Sequence, residues 1–145
     1  MRRWIRIVET ALTATVAVTA LAGGLALAVG SMTGAGEGGA LPNPAYLTGS
    51  PFATYLLPGL ILALVVGGTH VVAALLIGRG SRRGPFAVAV AGFGLLIWIF
   101  VQMAFIPFSP LQAAYFAAGL TELGLLLLAL GLLPVERTSG RTVAS

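Results

Sequence analysis

The sequence predicts an all-α protein, a bundle of four transmembrane helices, and three observations point to this fold class. Mean hydropathy is +1.01 and only 8% of residues are charged, whereas about a quarter are charged in a soluble domain. Four stretches are each long enough to cross a hydrocarbon core about 30 Å thick, which takes roughly 20 apolar residues. All eight basic residues are Arg, and they flank these stretches on one predicted side only. The chain is therefore expected to be an integral membrane protein.

The four spans are separated by segments rich in residues that end helices. The predicted helices are about Ile7–Val29, Leu56–Ile77, Phe86–Ile106 and Leu111–Leu133. A long Gly- and Pro-rich outer connection joins the first two, a short basic loop joins the next two, and the turn at 107–110 joins the last two. We expect residues 1–133 to form a single transmembrane domain and residues 134–145, which lack apolar periodicity, to form a disordered cytoplasmic tail.

The arginines predict the orientation of the bundle. They precede the first span, lie between the second and third, and follow the fourth: Arg2, Arg3, Arg6, Arg79, Arg82, Arg83, Arg137 and Arg141. Because basic residues concentrate on the cytoplasmic side of membrane proteins, both termini are expected in the cytoplasm. A cleavable signal peptide is an alternative for the first span, since Ala26-Leu27-Ala28 imitates a cleavage site, but the apolar run is longer than such peptides usually have.

Small and polar residues recur at helical spacing on each span and predict the faces that contact other helices, because close approach and polar contacts hold membrane helices together. The predicted faces are Glu9, Thr13, Ala17, Ala20 and Gly24; Gly59, Ala63, Gly67, His70 and Ala74; Ala87, Ala91, Trp98 and Gln102; and Ala114, Ala118, Gly119 and Glu122.

Two ionisable residues inside the membrane are candidates for a proton or ion relay. Glu122 lies at the middle of the fourth span, and His70 lies within roughly 5 Å of the same depth on the second. A His–Glu pair across these helices would form a coherent relay, because His titrates near neutral pH and Glu supplies the counter-charge. The alternative is structural: a protonated Glu122 and a neutral His70 that each bond a neighbouring helix.

The remaining polar residues are expected to hold the bundle together or to anchor it. Gln102 and Gln112 are predicted to hydrogen-bond across the short hairpin, and Thr13 to contribute to polar packing between helices. Glu9 is expected to pair with Arg6 at the cytoplasmic boundary. The basic loop is expected to attract anionic lipid headgroups through Arg79, Arg82 and Arg83.

Several functional classes lack the residues that they need. The chain has no Cys and one His, which excludes thiolate sites and makes a metal or haem site within one subunit improbable. It shows no nucleophile–base set, paired carboxylates or phosphate-binding loop, so we expect no enzymatic activity and no cofactor. Nucleic acid is not an expected partner, because the arginines are explained by membrane orientation.

The third and fourth spans carry a resemblance. The runs Gly94-Leu-Leu-Ile-Trp98-Ile-Phe-Val-Gln102 and Ser109-Pro-Leu-Gln112-Ala-Ala-Tyr115-Phe-Ala-Ala-Gly119-Leu-Thr-Glu122 resemble small four-helix membrane proteins of actinobacteria that have no assigned activity. The similarity extends back through Ser50-Pro51-Phe52 to Gly67-Gly68-Thr69-His70. It implies a bacterial plasma-membrane protein and supplies no mechanism.

Two functional hypotheses follow. The first is a non-catalytic membrane protein, either an accessory or assembly subunit of a larger membrane complex or a protein that associates with itself. The second is a small proton-linked transporter or channel that uses Glu122 and His70. The sequence favours the first, because a relay normally needs polar groups on both sides of its centre, and the outer half of the bundle offers only amides and hydroxyls.

Overall fold

The computed structural model describes residues 1–34 and 42–132, and these are helical with no strand among them. Four helices are long and apolar enough to cross a membrane. They are α1 (Arg3–Thr33), α2 (Leu56–Gly78), α3 (Gly84–Phe105) and α4 (Pro110–Ala129). The prediction of an all-α chain with four such helices is therefore confirmed.

The helix ends follow from local sequence chemistry. α1 stops where Gly34 adopts a left-handed conformation with φ of 70°, and its N–H donates to the carbonyl of Gly30. α4 starts with a capping box, in which Ser109 Oγ accepts from Gln112 N and Gln112 Oε1 accepts from Ser109 N. Compared with the predicted spans, α1 is longer at both ends and α4 stops at Ala129 instead of about 133. The predicted tail at 134–145 lies outside the described residues.

The helices run antiparallel to their sequence neighbours, and α1 also contacts α4. The closest approach joins α1 to α2 at two glycines. A Cβ added to Gly24 would lie 2.5 Å from the carbonyl oxygen of Gly59, and one added to Gly59 would lie 2.7 Å from the carbonyl oxygen of Gly24. The backbones of α1 and α2 are therefore in direct contact there, which is the packing that small residues permit between membrane helices.

α2 contains a wider turn just before its histidine. Residues Leu62–Gly67 form a π-helical segment within the otherwise α-helical span. After this segment the N–H of Gly68 donates to the carbonyl of Ala63, five residues earlier. Such wide turns occur frequently at functional sites.

A buried tyrosine hydrogen-bonds within the connection before α2. Pro44–Leu47 form a single 3₁₀ turn, and Asn43 Oδ1 accepts from Ala45 N at its start. The hydroxyl of Tyr55 donates to the carbonyl of Asn43 at 2.8 Å. Tyr55 is buried, and burial, reinforced by the charge of Tyr46, raises the pKa of its phenol.

The two ends of the bundle differ in their residues, and we name them accordingly. The arginine end holds the start of α1 and the turn between α2 and α3, with Arg2, Arg3, Arg6, Arg79, Arg82 and Arg83. The loop end holds residues 42–55 and the turn between α3 and α4.

The interior faces agree with the predicted ones on some helices and differ on others. All five predicted positions of α1 are buried. On α2, Gly59, Ala63, Gly67 and His70 are buried as predicted, but the next buried residue is Ala73 and not the predicted Ala74. On α3 the buried residues are Gly84, Val88, Ala91, Gly92, Leu95 and Ile99, so only Ala91 of the predicted set is fully inside. On α4, Gly119 and Glu122 are buried, whereas Ala114 is exposed.

Candidate functional site

His70 and Glu122 meet in the interior of the bundle. Nε2 of His70 lies 3.2 Å from Oε2 of Glu122, and neither side chain has any exposed surface. The contact joins α2 to α4. Gly92 of α3 packs closely beside it, since a Cβ added there would lie 3.1 Å from Cδ2 of Leu123 and 3.4 Å from Oε2 of Glu122.

The hydrogen bonds of His70 define which atoms hold its protons. Nδ1 lies 2.7 Å from the carbonyl oxygen of Val66. A carbonyl only accepts, so Nδ1 carries a hydrogen and donates it. Nε2 and the Glu122 carboxyl then need one further proton between them, held either by the acid or by the imidazole. The pair is therefore neutral as a whole when it is hydrogen-bonded.

Two apolar clusters enclose the pair along the bundle axis. Toward the arginine end lies a cluster formed by Ala73, Ile77, Val88, Ala91 and Leu126. Toward the loop end lies a second cluster formed by Val16, Ala20, Val66, Leu95 and Ile99. Water is thereby kept from the pair in this conformation, which strengthens the interaction between its two members.

Glu9 is inside the bundle, and the expectation that it pairs with Arg6 at the boundary is wrong. It is 2% exposed, and neither of its carboxyl oxygens has a hydrogen-bond partner in the described part of the chain. Among described residues the His70–Glu122 contact is the one ion pair. The reason lies in helical spacing, because Glu9 shares the interior stripe of α1 with Thr13 and Ala17, whereas Arg6 lies off that stripe.

Glu9 adds a second buried acid to the interior that holds the pair. A Cβ added to Gly78 would lie 3.4 Å from Cγ2 of Thr10, so the part of α1 that carries Glu9 packs against the arginine end of α2. His70 lies eight residues, about 12 Å, from Gly78, and so Glu9 lies on the arginine side of the pair. Oε1 of Glu122, like both oxygens of Glu9, is buried without a partner among the described residues. The interior thus holds two acids and one base.

Thr13, Gln102 and Gln112 are the three residues predicted to make polar contacts between helices, and the structure places them in different surroundings. Thr13 is fully buried, but its hydroxyl donates to the carbonyl of Glu9 at 2.8 Å, within its own helix. Gln112 is buried, and its Oε1 serves the cap of α4. No hydrogen bond of the described residues joins Gln102 to Gln112. Both amides instead line one cavity.

That cavity, which we call the loop-end cavity, has a volume of about 300 Å³. Its walls include Thr19, Gly23, Leu62, Trp98 and Tyr115, and it extends as far as Val66 and Leu95. Val66 supplies the carbonyl that His70 bonds, so the inner end of the cavity is one helical turn from the pair. A second cavity of about 100 Å³ lies beneath residues 42–55 and shares Pro42, Trp98, Gln102 and Ile106 as walls.

The three arginines predicted to attract lipid headgroups are exposed at the arginine end. Arg82 lines a recess of about 230 Å³ together with Arg6, Gly80 and Ser81. Arg83 lies at the end of an outward-facing groove between α2 and α3.

The described residues contain no cluster of three His, Cys, Asp or Glu that could hold a metal ion. Comparison of the chain with protein-family models, with curated proteins and with solved structures found no match. The chemistry of the site therefore has to be argued from its own residues.

Sequence reasoning underestimated two of these residues. Glu9 was placed on the interior stripe, yet the nearby Arg6 favoured a boundary ion pair; its spacing from Thr13 was the more reliable signal. Trp98 was placed on a packing face, but its buried Nε1 has no hydrogen-bond partner in the described residues, and it forms a wall of both cavities. Nothing in the sequence indicates a cavity at that depth.

Proposed function

We propose that this protein is a small proton-linked membrane transporter in which Glu122 carries the proton and His70 is its partner. The single observation that supports this most directly is the 3.2 Å contact between the two fully buried side chains. Ionisable residues inside a membrane are costly and typically mark ion or proton pathways. The sequence favours an accessory subunit because the outer half of the bundle offers only amides and hydroxyls as polar groups.

Glu9 and the loop-end cavity change that balance. Glu9 supplies a second buried acid between the pair and the arginine end. Toward the loop end, amides and hydroxyls line one cavity that ends one helical turn from the pair. α3 contributes no titratable side chain here, since Ala91 and Gly92 face the pair. The buried acids and bases of the described helices are thus Glu9, His70 and Glu122, and the one further buried titratable side chain, Tyr55, lies in the connection before α2.

The proposal includes an orientation and a location. Both termini and the arginine end face the cytoplasm, and the loop end faces outward, because the arginines fall at one end. The membrane is a bacterial plasma membrane, in keeping with the resemblance to small actinobacterial membrane proteins. No catalytic reaction is assigned to the chain.

Replacement of Glu122 by Gln tests the proposal. The amide is nearly isosteric and can still donate to Nε2 of His70, so the fold should persist, but it cannot release a proton. In liposomes containing a pH-sensitive dye, we expect Glu122→Gln to reduce proton flux at least tenfold while the thermal unfolding midpoint shifts by only a few degrees. Glu37→Gln, which removes a carboxyl from the outer connection, is the matched control and should retain flux.

Equal flux in wild type and Glu122→Gln, with both folded, would refute the transport proposal. If Glu122→Gln unfolds, His70→Gln takes its place, since it keeps a polar side chain beside Glu122 but removes the titratable base. Wild-type flux in folded His70→Gln would also count against the proposal.

A second function, an accessory or self-associating subunit, is favoured by a different observation. α4 presents small residues on its outer surface at helical spacing, with Ala113, Ala117 and Thr121 exposed and Gly124 open to its surroundings. Such a surface permits close approach of another helix. Mass spectrometry of the gently extracted assembly tests it, because a fixed partner or a defined homo-oligomer would support this function and a lone monomer would contradict it.

A further inference from the structure

The loop-end cavity has the composition of a binding site for a small uncharged molecule. Its described walls include no Asp, Glu, Lys, Arg or His. A charged ligand buried there would lack a counter-charge and would pay a large desolvation cost. His70 and Glu122, one helical turn beyond Val66, already neutralise each other. The occupant that fits these walls is therefore neutral.

Polar side chains line part of the cavity, and one of them has an unused donor. The polar walls include Thr19, Gln102, Ser109, Gln112 and Tyr115. Gln112 uses its Oε1 in the helix cap, and no hydrogen bond of the described residues uses its amide nitrogen. An amide nitrogen only donates. A ligand that satisfies it has to bring an acceptor oxygen.

The rest of the surface is apolar. Leu62, Val66, Leu95, Ile99 and Leu111 supply walls that suit a hydrocarbon or aromatic body. The volume of about 300 Å³ lies at the small end of ligand sites. Polar donors at fixed places in an apolar cavity are the usual arrangement of a specific small-molecule site.

We propose that the loop-end cavity binds a small, uncharged, mainly apolar molecule that carries a carbonyl-type acceptor for the amide nitrogen of Gln112. This molecule class would be the substrate of the transporter, and in that respect the inference rests on the proposed function. Binding itself needs no proton gradient, so it can be measured separately from flux.

The chain provides its own reporter for this test. It contains two tryptophans, Trp4 and Trp98, and Trp4 is half exposed at the arginine end. Trp4→Phe leaves the cavity tryptophan as the sole source of indole fluorescence. Acetophenone, a small neutral ketone, is the probe, with ethylbenzene as the analogue without an acceptor and benzoate as the charged analogue. We expect saturable quenching by acetophenone in lipid nanodiscs, and binding at least fivefold weaker for each analogue.

Two glycines give a matched pair of cavity variants in the Trp4→Phe background. Gly23 lines the cavity, and a Cβ added there meets only Leu62 Cδ2 at 3.8 Å, so Gly23→Leu fills the space without a backbone clash. A Cβ added to Gly94 meets nothing within 4 Å, so Gly94→Leu is the control. Gly23→Leu should weaken saturable quenching at least tenfold, and Gly94→Leu should leave it unchanged.

A third variant tests the donor. Gln112→Glu keeps an oxygen for the cap of α4 but removes the amide hydrogens, and it should weaken acetophenone binding about fivefold, the worth of one hydrogen bond. Non-saturable quenching that is equal in Gly23→Leu and Gly94→Leu would show simple partition into lipid and would overturn the site. Equal binding of ethylbenzene or benzoate would overturn the ligand class. Loss of flux in Glu122→Gln with no acetophenone site would retain the proposed function and reject this inference alone.

Discussion

At the residue scale, the shared proton explains how a chain with a central carboxyl can enter a membrane. An isolated charge at mid-depth costs several kcal/mol. His70 and Glu122 have no net charge, whichever of them holds the proton between Nε2 and Oε2. If either partner is removed, the other is left as a buried polar group without its hydrogen bond, and that loss is what makes such pairs expensive to break.

We therefore expect a double-mutant cycle on this pair to show coupling. His70→Ala and Glu122→Ala should each lower the free energy of unfolding, and the double variant should lose less than the sum by about 0.5–2 kcal/mol, a typical size for polar contacts between membrane helices. Unfolding in mixed micelles measures the three differences. A sum that is strictly additive would mean that the contact contributes nothing to stability.

At the element scale, α1 and α2 depend on glycine where their backbones touch. The carbonyl of Gly59 lies where a side chain on Gly24 would begin, and no rotamer change can move a carbonyl out of the way. The adjacent Gly23 points toward a flexible leucine instead. Neighbouring glycines on one helix thus have opposite tolerance for a methyl group.

Replacement of Gly24 by Ala is expected to separate the two helices locally and to cost about 1–3 kcal/mol of stability. Gly23→Ala should be neutral or stabilising by up to ~1 kcal/mol, because alanine favours helix and its Cβ meets only ordinary contact. Thermal unfolding of both variants in one lipid composition gives the comparison. Equal stability of the two would contradict the close approach.

The loop before α2 has its own pH dependence. The folded-state pKa of Tyr55 is raised above 10.0 by burial, so its contribution to stability is fully present below pH 10 and is lost as the pH rises through the folded-state pKa. Ionisation also removes the donor that holds the carbonyl of Asn43. Absorbance near 295 nm should show one tyrosine that titrates later than the others, and Tyr55→Phe should abolish that phase. Simultaneous titration of all tyrosines would contradict it.

The extent to which the interior residues could be predicted from the sequence differs from helix to helix. On α1 the polar and small residues coincide with the interior stripe, so all five positions that periodicity predicts are buried, including Glu9; Ile5, Val16, Ala28 and Gly30 are buried as well. On α3 the interior is made by Val88, Leu95 and Ile99, which a bilayer does not distinguish from lipid-facing residues of the same type. α4 has small residues on two faces, and sequence spacing cannot tell which one packs inward. The depth match of His70 and Glu122 was readable, but their contact depends on helix order around the bundle.

At the scale of the whole molecule, the bundle has an exterior as apolar as its interior and one strongly basic end. Exposed large side chains such as Phe86, Phe93 and Phe100 run along α3. Hydrophobic burial between helices therefore contributes little, and the shape depends on close contacts and on a few polar groups. The asymmetry of the arginines is what distinguishes one end from the other.

The orientation can be measured with single cysteines, since the chain has none of its own. Thr48→Cys places a thiol at the loop end and Ser81→Cys places one at the arginine end. In intact cells a membrane-impermeant maleimide should label Thr48→Cys, and should label Ser81→Cys only after permeabilisation. The reverse pattern would place the termini outside.

The anchoring of His70 to the carbonyl of Val66 also limits how a proton could move. In a hydrogen-bonded chain that conducts protons, each group accepts a proton at one of its atoms and releases another proton from a different atom. The Nδ1 hydrogen of His70 faces an oxygen that does not become protonated, so the imidazole can exchange protons only at Nε2, the side of Glu122. The ring is then a terminus that stores a proton and returns it to the same acid. Conduction through the imidazole is excluded in this conformation, and a proton carried by Glu122 crosses the bundle with that carboxyl exposed first to one side and then to the other.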